Sequence, residues 1–245
     1  MRGPRGATRA HPKLSSVSVK EPDRFKVRLK RSSPRSSRQL VIMLKAPAMG
    51  RVKTRLARDI GVVRATWFYR HATRMLLQRL SRDPRWSTLI AVAPDGAVAG
   101  RSWPESIARR PQGNGDLGAR MQRLFDGSPP GPVVIIGTDC IDVTAADIAA
   151  AFRALGSSRC VLGPARDGGY WLIGQSRMPR PLAVFAGVRW SGPDTLTDTM
   201  ANLNGYSTSL LQQLEDVDTA DEWRRSAAAG VRCVGSRTFG NANWS

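Results

Sequence analysis

The sequence predicts an α/β protein with a mostly parallel sheet, and two observations carry that expectation. From Gln39 onward, short apolar runs of strand length alternate with longer stretches whose apolar residues recur at helical spacing. The chain has 245 residues, 41% of them hydrophobic, which is enough apolar surface to close a sizeable core.

The elements follow in order. Leu40 to Leu44 is an uninterrupted apolar run that reads as a buried first strand, and Ala65, Phe68, Ala72, Met75, Leu76 and Leu80 mark one face of a helix, with Trp67 and Tyr69 off that stripe. Thr88 to Ala93 predicts a second strand, stopped by Pro94-Asp95-Gly96, and Ile107 to Arg110 a short third one. Leu117 to Phe125 predicts a helix and Val133 to Ile136 a strand. Thr144, with Asp147 three residues on, resembles a capping box that opens a helix to Leu155. Strands at Cys160 to Leu162 and Tyr170 to Ile173 flank a loop. A helix from Pro193, a strand over Ser209 to Leu211, and a last helix from Asp218 or Thr219 to Gly230 complete a single domain over 39–245.

The charge is unevenly spread. Lys and Arg total 38 against 19 Asp and Glu, a net +19, but residues 1–38 alone hold 12 of the bases and two of the acids. That segment is rich in Arg, Ser and Pro, poor in aromatics, and broken by Pro4, Pro12, Pro22 and Pro34. It is expected to be a disordered basic extension, read either as a solvated tail or as a basic arm or targeting peptide. The rest of the chain shows no helix-turn-helix, zinc-finger or RNA-recognition pattern, and no basic stripe interleaved with aromatics, which argues against nucleic acid as the main partner. Three widely spaced cysteines (Cys140, Cys160, Cys233) fit neither a zinc site nor a disulfide framework. No apolar run approaches the roughly 20 residues of a membrane span, so a soluble cytoplasmic protein is expected.

In open α/β sheets ligands bind beyond the carboxyl ends of the strands. After the first strand comes Lys45-Ala-Pro-Ala-Met-Gly-Arg-Val-Lys-Thr-Arg-Leu56, where Gly50 permits a tight turn and Lys45, Arg51, Lys53 and Arg55 offer four cations beside a helix N-terminus. Such a loop suits a polyphosphate. It is not a P-loop, because Pro47 and Val52 stand where glycines would be required. Lys45 and Lys53 are the only lysines beyond residue 38, where the other 24 basic residues are Arg, and lysine is a compact phosphate-binding charge.

Three acidic places could join this loop. Gly137-Thr138-Asp139-Cys140 puts a carboxylate at the end of a strand, suited to a hard cation such as Mg²⁺ or Mn²⁺ or to capping the next helix. Arg166-Asp167-Gly168-Gly169-Tyr170 is a site loop or a hairpin turn. Glu215-Asp-Val-Asp-Thr219 offers Asp216 and Asp218, the latter also a plausible N-cap. Pro111-Gln-Gly-Asn-Gly-Asp-Leu-Gly118, with Gly113 and Asp116, reads as a backbone-lined pocket wall or a flexible loop.

Together these stretches resemble a bacterial glycosyltransferase-like family with the nucleotide-diphospho-sugar transferase (GT-A) fold, some members of which are annotated in arsenosugar biosynthesis. The resemblance runs from about Gln39 to Glu222 over five motifs in order: 45–56, 112–118, 136–140, 162–172 and 216–219. The family is also similar to guanylyltransferases that activate 2-phospholactate. The resemblance implies a Rossmann-like three-layer α/β/α sandwich. It implies further that Lys53 and Arg55 grip phosphates, that Asp139 holds a divalent metal with Asp216 or Asp218 as a second ligand, and that Asp167, Gly168 and Gly169 face sugar or acceptor. This chain departs from the pattern at Ile141-Asp142, where the family has Pro-Gly, and at Asn114, where it has an acid.

The expected activity is metal-dependent transfer from a nucleotide-sugar donor to a small acceptor, with nucleotidyl transfer from a nucleoside triphosphate as the alternative and noncatalytic nucleotide or nucleic-acid binding as a rival of another class. Lys53, Asp139 and Asp167 are the candidate catalytic residues, with Asp167 ahead of Asp116 as general base. Tyr170-Trp171 is either a sugar-stacking surface, which favours sugar transfer, or ordinary strand packing.

Overall fold

The computed structural model describes residues 37–215 and Thr219. The basic extension falls outside these residues except for Ser37 and Arg38, as do Asp216, Asp218, Cys233 and the expected last helix.

The first strand, β1 (Gln39–Lys45), shows why the chain layers as it does. Leu40 to Leu44 are all buried, so the run is covered on both faces. Leu40, Ile42 and Leu44 enter one apolar cluster with Leu76, Leu80, Ile148 and Phe152. Val41 and Met43 enter another with Met121, Leu124, Phe125 and Phe185. The first cluster is covered by α2 (Val62–Leu80) and α4 (Ala145–Ala154), the second by α3 (Leu117–Asp126) and α5 (Thr195–Asn202). The result is the three-layer α/β/α sandwich. Thr144 closes the expected capping box with Asp147 in both directions.

One helix was not anticipated. Thr54–Ile60 forms a short α1, separated from α2 by Gly61 at φ 85°, and Leu56 packs with Ala65, Phe68, Ala72 and Ile141 in a third small cluster. Gly61 between two helical patterns was the available signal.

The sheet has the order β3-β2-β1-β4-β6-β5-β7, with β2 (Ser87–Ala93), β3 (Ala108–Pro111), β4 (Val133–Ile136), β5 (Cys160–Pro164), β6 (Tyr170–Gln175) and β7 (Thr208–Leu210). β1 pairs in parallel with β2 and β4, and β5 with β7, whereas β6 runs antiparallel to both β4 and β5. The reversal follows from chain length: the five residues Ala165 to Gly169 cannot make a parallel crossover, only a hairpin. Register then brings the ends of β1, β2, β3, β4, β5 and β7 and the start of β6 to one edge.

Trp171 decides between the two readings of the Tyr170-Trp171 pair. Its ring is 5% exposed, lies against Gly163 of β5, and donates its indole N–H to the Gln212 carbonyl at 3.2 Å. Tyr170 is partly buried beside the second cluster. The pair is strand packing, because a strand inside a covered sheet turns both faces inward. A Cβ on Gly163 would fall 2.4 Å from the Trp171 ring. Gly163→Ala is therefore expected to lower stability by about 1–3 kcal/mol, read as a shift in the urea midpoint at unchanged slope.

Candidate functional site

At the common edge, β1 ends at Lys45 and the chain turns through Gly50 (φ 71°) before α1. Lys53 stands at the N-cap of α1 in the left-handed region (φ 46°, ψ 48°), a conformation that costs a non-glycine residue energy and is held only by its surroundings. Its side chain is 3% exposed, and its ammonium donates to Asp139 Oδ1 at 2.6 Å. A buried ammonium demands such a partner. Asp139 itself is 58% exposed, and its Oδ2 accepts no hydrogen bond among the described residues. The pair joins the basic loop to the loop after β4, with the lysine inside and one carboxylate oxygen outside.

Alternation along the loop after β4 explains that orientation. Gly137 and Asp139 are exposed, while Thr138 and Cys140 are buried, Cys140 within the first apolar cluster. Cys140 is thus a core residue. Arg79 of α2 fixes the far side of the loop by donating to the carbonyls of Ile141 (3.0 Å) and Val143 (2.9 Å).

Tyr69 is the residue that periodicity misplaced. Off the main stripe of α2, it is nonetheless 4% exposed, and its phenol accepts from Lys45 N–H (2.9 Å) while donating to the Lys45 carbonyl (3.0 Å). Thr138 Oγ1 also donates to it, at 3.4 Å. One hydroxyl thus ties the last residue of β1 to the loop that carries Asp139. Burial pushes the Tyr69 phenol above its ordinary value, partly opposed by the hydrogen bonds from Thr138 and Lys45.

The glycine loop after β3 is held from below. Gln112, 4% exposed, donates through Nε2 to the carbonyls of Leu44 and Ala91, both at 2.9 Å, and so pins the ends of β1 and β2. Arg123 of α3 donates to the carbonyls of Gln112 (2.7 Å) and Asn114 (3.0 Å), and its guanidinium lies where a Cβ on Gly113 would be. Asp95 accepts from Gly113 N–H at 3.0 Å. Tyr69, Gln112, Arg123 and Asp95 were not foreseen as site residues. In sequence Gln112 stood only as the first residue of the 112–118 motif, Asp95 only in the stop after the second strand and Tyr69 only as a residue off the α2 stripe.

Asp116 and Asp167 have local roles here. Asp116 caps α3 by accepting from Ala119 N–H at 2.7 Å. Asp167 accepts from Gly169 N–H at 2.9 Å and closes the β5–β6 hairpin, while Gly168 (φ 87°) packs against the Pro193 backbone and accepts from Leu196 N–H. No hydrogen bond or ion pair links either carboxylate to the Lys53–Asp139 pair among the described residues. Lys45, Arg51 and Arg55 are exposed around that pair's loop. Among the described residues, no three His, Cys, Asp or Glu side chains converge as a metal site, and Asp216 and Asp218 lie outside them.

Tyr69→Phe strands both backbone groups of Lys45 and is expected to cost about 1–3 kcal/mol. Because the folded phenol titrates above its ordinary value of 10.0, its contribution is complete below that pH and declines as pH rises through the folded value. Urea midpoints at pH about 8 and about 11 should therefore fall more steeply for the wild type than for Tyr69→Phe.

Comparison with known proteins supports this frame. Residues 76–192 match the family model described as "Uncharacterized protein conserved in bacteria (DUF2064)". None of the curated proteins matches the sequence. A proposed nucleotide-diphospho-sugar transferase from Desulfovibrio desulfuricans G20 is similar at 29% identity and a TM-score of 0.72, over 82% of this chain and 90% of that one. The 4-diphosphocytidyl-2C-methyl-D-erythritol synthase of Anaerococcus prevotii DSM 20548 shares the fold alone, at 8% identity and a TM-score of 0.50, over 80% of this chain and 98% of that one. Among the described residues, no helix is long and apolar enough to cross a membrane. The stretch 76–192 thus carries the DUF2064 signature on a nucleotide-diphospho-sugar transferase fold, in line with the resemblance read from the five motifs.

Proposed function

We propose that the protein is a metal-dependent transferase that moves a sugar from a nucleotide-diphospho-sugar to a small acceptor. The observation that carries this reading is the Lys53–Asp139 pair, a buried cation and an exposed carboxylate joined across the basic loop and the end of β4. The similarity to the Desulfovibrio protein supports the choice of donor.

The donor set fits a divalent cation. Asp139 Oδ2 is a hard oxygen with no protein partner among the described residues, and Mg²⁺ or Mn²⁺ takes one or two carboxylates together with substrate phosphates. When bound, the ion would neutralise charge on the diphosphate as it leaves. Lys45, Arg51 and Arg55, exposed on the loop, hold that diphosphate while Lys53 holds Asp139 beside it, and Gly50, Gly113, Gly168 and Gly169 let backbone approach the donor. The acceptor oxygen attacks C1 of the sugar, the C1–oxygen bond to the diphosphate breaks with its electron pair, and the acceptor proton passes to Asp167. Positioning and fixed charge supply most of the rate.

Nucleotidyl transfer is the second reading, in which the acceptor attacks the α-phosphorus and pyrophosphate leaves. The burial of Trp171 favours keeping it, since the aromatic surface that would single out a sugar is spent on packing.

Thermal midpoints of the full chain with UDP- and GDP-sugars and nucleoside triphosphates, each with and without Mn²⁺ or Mg²⁺, test both readings. Metal-dependent stabilisation by one sugar nucleotide is the expected result. Preference for a triphosphate would select nucleotidyl transfer, and no response to any of them would overturn both. Asp139→Asn is expected to abolish the metal-dependent part. Lys53→Ala should weaken a nucleoside diphosphate about tenfold or more while leaving a free nucleoside unchanged.

A further inference from the structure

A cavity lies beside the strand-end site, and of its lining only Tyr69 has a role above. It encloses about 690 Å³ between α2 and the segment 101–104, with Pro47 of the basic loop at its rim. That is the size of a small-molecule site. Its walls are built. Trp103 is 6% exposed and donates its indole N–H to the Ala97 carbonyl at 2.9 Å. Arg109 donates to the carbonyls of Val98 and Gly100, which holds the same segment to β3.

The chemistry of the lining is one-sided. Arg70, Arg74 and Arg101 are exposed on it, no Asp or Glu lines it, and none of the three guanidiniums has a hydrogen-bond or ion-pair partner among the described residues. Arg70 and Arg74 are four residues apart on α2, so they repel across one turn, and no acid among the described residues pairs with either. On the adjacent rows of the same helix face, Trp67 and His71 stack with ring centroids 5.3 Å apart and planes 7° from parallel. His71 Nε2 is buried without a hydrogen-bond partner among the described residues. A stacked aromatic pair, two planar guanidiniums and an unmet imidazole nitrogen occur within two helical turns. No extended basic and aromatic stripe runs along the sequence, but the fold encloses this short one in a cavity.

We propose that this cavity binds a small aromatic molecule bearing an oxyanion, a phosphate monoester or a carboxylate, with the ring against Trp67 and His71 and the anion forked by Arg70, Arg74 and Arg101. Guanidinium forks match both anions, and an indole face matches an aromatic ring. The site does not depend on the transferase reading, since it uses neither Lys53 nor Asp139. Tyr69 lines the cavity and also holds Lys45.

Calorimetric titration of the full chain with phenyl phosphate and with benzoate tests the proposal, and the tighter of the two identifies the oxyanion. Saturable binding is expected, with neutral benzyl alcohol at least about tenfold weaker. The double variant Arg70→Ala/Arg74→Ala should lose about tenfold or more, and Lys53→Ala should stay within about twofold of wild type. The double variant retains the basic extension, so a loss there cannot come from the tail. If it fails to fold, as judged by its thermal midpoint, Arg101→Ala on the opposite wall replaces it with the same expected direction. Absence of binding to the wild type, affinity unchanged by these arginine substitutions, or an equal loss in Lys53→Ala would overturn the proposal.

Discussion

Burial of Leu40 to Leu44 on both faces of β1 is the constraint on which the rest of the molecule depends. A strand covered from both sides needs a helical layer above and below, and its backbone groups must be met by neighbouring strands rather than by water. β2 and β4 provide that pairing in parallel, and parallel neighbours require helical crossovers, which become the two outer layers. Loops that leave the carboxyl ends of such strands share one edge of the sheet. Polar side chains at that edge can reach both the backbone framework and water.

The strand-end site is organised by small polar bridges rather than by a cluster of acids. Tyr69 ties the end of β1 to the loop after β4, Gln112 ties the ends of β1 and β2, and Arg123 supports the glycine loop from α3. Tyr69 and Gln112 are buried, so their bonds replace water that the packing has excluded, whereas Arg123 braces the loop from an exposed position. Against this frame Lys53 holds a left-handed backbone and a buried charge, both unfavourable in isolation. The salt bridge to Asp139 offsets the charge and leaves the carboxylate half outside. Helix α2 serves both sides of this arrangement: one face packs on the sheet through Leu76 and Leu80, Tyr69 reaches the end of β1, and Trp67, Arg70 and Arg74 line the cavity beside it.

Local pattern made much of this legible. The run Leu40 to Leu44, the Ala65 to Leu80 stripe, Val133 to Ile136 and the Thr144–Asp147 box each depend on residues a few positions apart, and each forms at the expected place. The strand-end rule also located the loops at 45–56, 112–118, 137–140 and 165–169 before any of them had a shape. The reversal of β6 was present only as an ambiguity, because Asp167-Gly168 suits a hairpin and a ligand loop equally well. The structure makes it a hairpin, and because β6 is reversed, its loop still lies at the edge shared by the other strand ends.

Periodicity and composition over short distances therefore suffice for the layers, for the edge where the strand-end loops gather and for the concentration of lysine in one loop. Only the tertiary structure decided that Tyr69 faces Lys45 rather than solvent, that Trp171 packs on Gly163, and that Lys53 meets Asp139 across 86 residues of chain. The same is true of the cavity between α2 and the segment 101–104. The reason is physical. Which side of a helix or strand is buried beyond its main stripe depends on what packs against it, and residues far apart in the chain set that partner.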